Sequence, residues 1–279
     1  MKKYRYFFNI LINKIKFIFR PIYRILINTK DFLWDSRLKS TLYVKELDKI
    51  IFKILDYGPV TRMRASTFEV KEPETLEWIK GFNSDDKLLD IGANIGIYSL
   101  YAASRGINVI AIEPDAQNYA LLNLNIMLNN FGNKIMPYCI AVHNETIISK
   151  FNISSFEWGG AMNSFDNDLD HEGNVYKPIH SHGVYGTSLD SLTESIPFMP
   201  NHLKVDVDGN EYLILLGAKK FLKNKNLKSI LIELEDTRSD YSQSIKIIED
   251  SGFQLLKKTH AAMFDQSEFS SIYNHIFVR

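Results

Sequence analysis

The chain has 279 residues, 45% hydrophobic and 24% charged, which is globular usage and excludes wholesale disorder. Its single cysteine, Cys139, excludes a disulfide framework and an all-cysteine metal site, and is what a reducing compartment permits. The zero net charge is split: residues 1–30 hold eight basic side chains and no acidic one, leaving 25 basic and 33 acidic residues, so a basic arm on an acidic body is expected and a nucleic-acid partner is not.

The arm mixes Phe, Ile and Leu with Lys and Arg. Its longest uncharged run, residues 6–13, falls far short of the roughly 20 residues of a spanning helix, and no secretory h-region or cleavage site is present. Two readings fit. One is a peripheral amphipathic helix on anionic lipid through residues 1–30; the other is packing on the body or on another subunit. Pro21 divides the arm into two helical pieces. The expected location is cytoplasmic, with or without peripheral membrane contact, and the oligomeric state is not specified.

Residues 31–80 read as a helical lead-in. Helical spacing covers 42–55, stopped at Tyr57-Gly58-Pro59. Weak alternation over 61–70 suggests a short strand, and 73–81 a helix ending at Gly81. A regular pattern follows: strand 87–91, a turn at Gly92–Gly96, a helix to about Ser104, strand 108–113, helix 116–129 rich in Leu and Asn, and strand 135–142. Such alternation implies βαβ units and a parallel sheet. After a strand over 147–153, the polar stretch 154–186 reads as a lid or substrate loop. Strand 202–207, helix 210–222, strand 229–234 and helix 239–251 restore the pattern. The last two strands, 253–258 and 272–278, have no helix between them and should pair antiparallel at the sheet edge.

The block Asp90-Ile91-Gly92-Ala93-Asn94-Ile95-Gly96 sits at the first strand-to-helix turn, where doubly wound sheets bind nucleotides. Gly92 and Gly96 allow close backbone approach to a ligand, and Asn94 tolerates left-handed dihedrals. Glu113, at the end of the second strand, can accept both ribose hydroxyls. A dinucleotide fingerprint needs glycine where Asn94 and Ile97 stand. Asp90 suits the ammonium end of S-adenosylmethionine better than a pyrophosphate, so that cofactor is favoured over NAD.

With these residues in place, the chain resembles the FkbM family of S-adenosylmethionine-dependent methyltransferases from about Phe68 to Arg279. The resemblance rests on LLDIGANIGIYSL (88–100), AIEP (111–114), TSLDSL (187–192), HLKVDVDGNEYLILLGAKKFL (202–222), ILIELE (230–235), Gly252-Phe253 and NHIFVR (274–279). Its most specific piece is Lys204, Asp206, Val207, Gly209 and Glu211. It implies a class I methyltransferase fold: a Rossmann-like α/β domain over 68–279 with a seven-stranded, mostly parallel sheet and an antiparallel C-terminal hairpin. Residues 1–67 would form a basic, amphipathic helical extension outside it. It also implies methylation of a hydroxyl, on a sugar, polysaccharide or natural-product acceptor.

On a strand, Lys204, Asp206 and Asp208 share one face. Charges there are tolerable only at the carboxyl end, beside a cofactor cleft. Asp206 is the expected general base or hydroxyl orienter, with Glu211 and Glu233 as further candidates. Alternatively, Lys204 pairs with Asp206 and Glu211 merely caps a helix. Asp206, Asp208 and Glu233 also offer oxygen ligands to Mg²⁺, but no metal is assigned. Asp90, Gly92, Ala93, Asn94, Gly96 and Glu113 should line the cofactor, with Asn118, Ala141 and Val142 as weaker contacts. His180 and His182 are metal ligands, a base or solvated loop residues. His143 approaches an adenine or lies on the surface. Trp158 is a sugar platform or packs under the loop, and Cys139 is buried packing. The rival functions are an NAD-linked oxidoreductase and a non-enzymatic, membrane-tethered scaffold.

Overall fold

In the computed structural model, which describes residues 41–46, 48–168, 175–267 and 269–279, the first elements are strands β1 (Thr41–Glu46) and β2 (Lys49–Leu55). Helices α1 (Pro59–Ser66), α2 (Phe68–Lys71) and α3 (Pro73–Lys80) come next. Then follow β3 (Lys87–Ile91), α4 (Ile97–Ser104), β4 (Asn108–Ile112), α5 (Ala116–Leu128), β5 (Ile135–Tyr138), β6 (Ala141–His143) and β7 (Ile147–Ile153). The second half holds β8 (Ser164–Phe165), β9 (His180–Ser188), α6 (Leu189–Leu192), β10 (His202–Val205), α7 (Glu211–Leu216), β11 (Ser229–Glu235), α8 (Tyr241–Asp250), β12 (Gln254–Thr259) and β13 (Ile272–Val278).

Seven strands form the central sheet in the order β12-β13-β11-β10-β3-β4-β5. From β11 to β5 all pairs are parallel, and β13 runs antiparallel to both neighbours. The sheet is therefore mixed, and its antiparallel part is the expected C-terminal hairpin. Alternation along each strand feeds two apolar layers. Leu88 and Val109 join one layer with α4, α5 and the β1–β2 hairpin. Leu89, Ile91, Ile110, Leu203 and Val205 join the other with α7 and α8. Each such buried aliphatic side chain contributes about 1.5–3 kcal/mol. Connections leave β3 in one direction and enter β10 from the other side, so the topological switch lies between them. The crevice of such a sheet opens at that point, beyond the carboxyl ends of the strands.

Several expectations are corrected. Residues 42–55 form the β1–β2 hairpin and not a helix. Short apolar runs fit either period, and what decides is non-local: the Asn129 side chain accepts from Lys53 N and donates to Lys53 O, while Asn125 Oδ1 accepts from Leu55 N. Residues 61–70 are helical, because Pro59 occupies the first turn of α1. Residues 42–67 fall in one compact unit with the rest of the chain, Leu42–Arg279. The run 135–142 breaks at Cys139-Ile140, and β6 leaves to join a second sheet of order β6-β9-β7-β8. The stretch 154–186 thus carries β8 and most of β9. The helix expected over 210–222 ends at Leu216, where Gly217 packs so closely that a Cβ would come 2.4 Å from the His143 carbonyl oxygen. The arm, residues 1–30, and its membrane contact lie outside the described residues. Among those described, no helix is long and apolar enough to cross a membrane.

Candidate active site

A cavity of about 570 Å³ opens at the carboxyl ends of β3, β4, β10 and β11. Of the expected cofactor residues, Gly92, Ala93, Asn94, Glu113, Asn118, Ala141 and Val142 line it; Asp206, Glu211 and Glu233 line it as well.

Asp90 and Gly96 do not. Asp90 pairs in register with Lys204 and lies beneath the wall, its Oδ2 accepting from Ser99 Oγ at 2.6 Å. Burial raises its pKa despite the nearby Lys204 ammonium. Gly96, at φ +89°, immediately precedes α4, and a Cβ there would meet Leu122 Cδ1 at 2.4 Å. A Cβ on Gly92, at φ +79°, would meet the Asp206 carbonyl oxygen. Both glycines are therefore required by packing within the fold, and Gly92 also lies on the cavity wall.

Glu113 follows β4 and is 5% exposed. Its Oε2 accepts from Asn94 N at 2.7 Å and its Oε1 from Asp115 N at 2.9 Å. Burial pushes its pKa up to about 8 against those bonds. Each oxygen keeps a lone pair beyond the N–H it accepts, and apolar Ala93, Pro114, Ala141 and Val142 share its wall. That combination fits a ribose held beside a flat base.

The opposite end is acidic. Lys204, 1% exposed, donates to Asp206 Oδ2 at 2.7 Å and lies 5.2 Å from the Tyr98 ring centroid. Burial alone would raise Asp206, but Lys204 and then Lys71 outweigh it and hold its carboxyl below the usual range. Glu233 goes the other way: burial, then Asp206 and Glu72, push it well up. Oxygens of Asp206, Asp208 and Glu233 lie within 4.8 Å of one another, an oxygen set of the kind Mg²⁺ accepts. Glu211 Oε1 accepts from Val207 N (3.3 Å) and Gly209 N (3.1 Å), so its carboxyl braces the turn that presents Asp206; burial raises its pKa to about 7.

Reading the sequence missed Arg64, Lys71 and Glu72, which reach the cavity from α1, α2 and the residue after α2. No local motif marks them. Phe264, Phe269 and Asn274 close another side from the β12–β13 region. The weaker candidates fall elsewhere. Cys139 is exposed, not buried. His143 is buried edge-on to Phe165 and is not among the residues lining the cavity. Trp158 packs on Tyr57 at 4.7 Å. His182 lies on β9, its ring 5.6 Å from that of Phe151 and off the cavity wall.

A mixed α/β sheet with a cavity at its switch point defines a Rossmann-like domain. Residues 90–255 match the family model described as the methyltransferase FkbM domain, and the chain belongs to that family. Among solved structures, the FkbM methyltransferase of Methylobacillus flagellatus KT is 18% identical with a TM-score of 0.49, the match covering 76% of this chain and 49% of that one. The chain thus spans about half that protein's length. Precorrin-6y C5,15-methyltransferase from Geobacter metallireducens GS-15 is 13% identical (TM-score 0.42; 75% and 88% covered). Aeropyrum pernix fibrillarin, solved with natively bound S-adenosyl-L-methionine, is 12% identical (TM-score 0.43; 74% of each chain). No curated protein matches the chain.

Proposed function

We propose that the chain transfers a methyl group from S-adenosylmethionine to a hydroxyl of a sugar, polysaccharide or natural-product acceptor. One observation carries this reading. A single cavity joins the Glu113 turn, suited to a nucleoside, to an Asp206–Glu233 pair whose proton affinities are driven apart. Glu113 would hold the ribose, with Ala93, Ala141 and Val142 against the base. When bound, S-adenosylmethionine supplies an already activated methyl group, so the protein contributes alignment and a proton acceptor. Asp206 is ionised at neutral pH, and Lys204 occupies one of its oxygens. Its other oxygen takes the acceptor's hydroxyl proton. Glu233, whose proton is favoured by burial and by Asp206, donates to a neighbouring oxygen of the acceptor and orients it. The acidic lining disfavours a phosphate backbone, in keeping with a small-molecule or glycan partner and no nucleic acid.

The test is thermal shift and calorimetry with S-adenosylhomocysteine against NAD. The homocysteine compound should raise the melting temperature and NAD should not. Stabilisation by NAD alone, or by neither, overturns the reading. Mass spectrometry of candidate acceptors then looks for a gain of one methyl on oxygen.

A further inference from the structure

Resting on that reading, we propose that Asn118 is a positioning residue. Through its side-chain amide it holds the Gly159–Gly160 peptide as the wall joining the nucleoside end of the cavity to the acidic end.

Asn118 lies on α5 and is 1% exposed. Its Oδ1 accepts from Gly159 N at 2.8 Å, and its Nδ2 donates to Gly160 O at 3.0 Å. A planar amide thus clamps both sides of one turn, and each of its ends is committed to backbone. Asn94 Nδ2 donates to the same Gly160 carbonyl at 2.7 Å, while its own N–H donates to Glu113. Arg64 Nε donates to Gly159 O at 2.9 Å. Three residues after Gly159, Met162 N donates to Asp208 Oδ2 at 2.8 Å. Met162 and Asp208 both hold positive φ, 62° and 59°, which costs energy for residues other than glycine. The segment 157–163 is therefore fastened at one end to the Glu113 turn and at the other to the neighbour of Asp206. Gly159, at φ +82°, has the backbone freedom this clamp requires. Binding at the nucleoside end and placement of the acids are coupled through this strap.

The experiment compares the wild-type chain with Asn118→Asp, which keeps the acceptor for Gly159 N but sets an oxygen against Gly160 O. Amide hydrogen exchange is followed across the chain, and S-adenosylhomocysteine is titrated by calorimetry. Asn123→Ala is the control, because the Asn123 amide donates only to Tyr119 O within its own helix. In Asn118→Asp, exchange at 157–163 should rise about tenfold while β3, β4 and β10 stay protected, and affinity for the homocysteine compound should fall about tenfold. In the wild type that ligand should deepen protection at 157–163; in Asn118→Asp it should not. Unchanged exchange at 157–163, or a uniform rise over the whole chain, overturns the proposal. Where Asn118→Asp does not fold, Asn118→Ala, which removes both bonds without setting two oxygens against each other, supplies the same comparison. If the wild type ignores S-adenosylhomocysteine, the methyl-transfer reading fails, while ligand-free exchange still decides the role of Asn118.

Discussion

Gly92 lies directly under the main chain of Asp206: a Cβ built on it would sit 1.7 Å from the Asp206 carbonyl oxygen, at a backbone φ of +79°. The turn after β3 and the acid after β10 are therefore one packed unit. Gly92→Ala should strain the turn and push Asp206 out of place, costing about 2–4 kcal/mol. A fall in denaturation midpoint, with S-adenosylhomocysteine binding weakened at the same time, is the expected result. A midpoint equal to wild type counts against this packing.

Asp206→Asn removes the ionised carboxylate but keeps its size. Turnover, read as S-adenosylhomocysteine release, should drop by about 10²- to 10⁴-fold, while calorimetric affinity for that compound stays near wild type. Glu233→Gln keeps a neutral hydrogen-bonding group in place of a carboxyl whose proton is favoured by burial and by Asp206, and should lose much less. A loss at Glu233→Gln as large as that at Asp206→Asn would overturn the assignment of the base to Asp206.

Glu113→Gln should weaken S-adenosylhomocysteine by about tenfold or more, since the amide NH2 cannot accept where a carboxyl oxygen now meets the Asn94 or Asp115 N–H and a ribose hydroxyl. The same residue has a pH signature. Its pKa rises from 4.5 unfolded to about 8 folded. The folded state thus binds the extra proton, and the stability this gives below pH 4.5 is lost as pH rises toward 8. Ligand-free wild type should lose stability across that window in urea titrations, and Glu113→Gln should flatten the slope.

At the other end of the sheet a separate network supports the fold. Trp78 Nε1 donates to Ser229 Oγ at 2.8 Å, Ser229 Oγ meets His202 Nδ1 at 2.7 Å, and His202 Nε2 meets Asp86 Oδ2 at 3.1 Å. Lys228 Nζ lies 2.5 Å from Asp86 Oδ1. Burial opposes ionisation of Asp86, but Lys228 and His202 outweigh it and hold its pKa at about 2. Its contribution is therefore full above pH 3.8 and disappears as pH falls through 2. Asp86→Asn should cost about 1–2 kcal/mol at pH 7 and much less at pH 2. Chemical denaturation at the two pH values checks this, and S-adenosylhomocysteine affinity at pH 7 should not change.

Local pattern was enough for the βαβ core. The strands 87–91 and 108–112, the helix between them and the closing hairpin follow from apolar runs and from turn residues whose effects act within a few positions. The residues of the site were legible for the same reason: Gly92, Asn94, Glu113, Asp206 and Glu233 stand at strand ends, where the sheet gathers them whatever the loops do.

Other features depended on partners far along the chain. The hairpin over 41–55 is fixed by amides of Asn125 and Asn129, and β9 by pairing with β7; no window of sequence contains both members. The helix over 59–66 was available from Gly58-Pro59, which also marks a start. Only tertiary packing showed that Gly92 makes room for Asp206 and that Asn118 is spent on Gly159 and Gly160. The cause is general: a motif fixes which groups are near a turn, but close packing decides which atoms fill the space beside them.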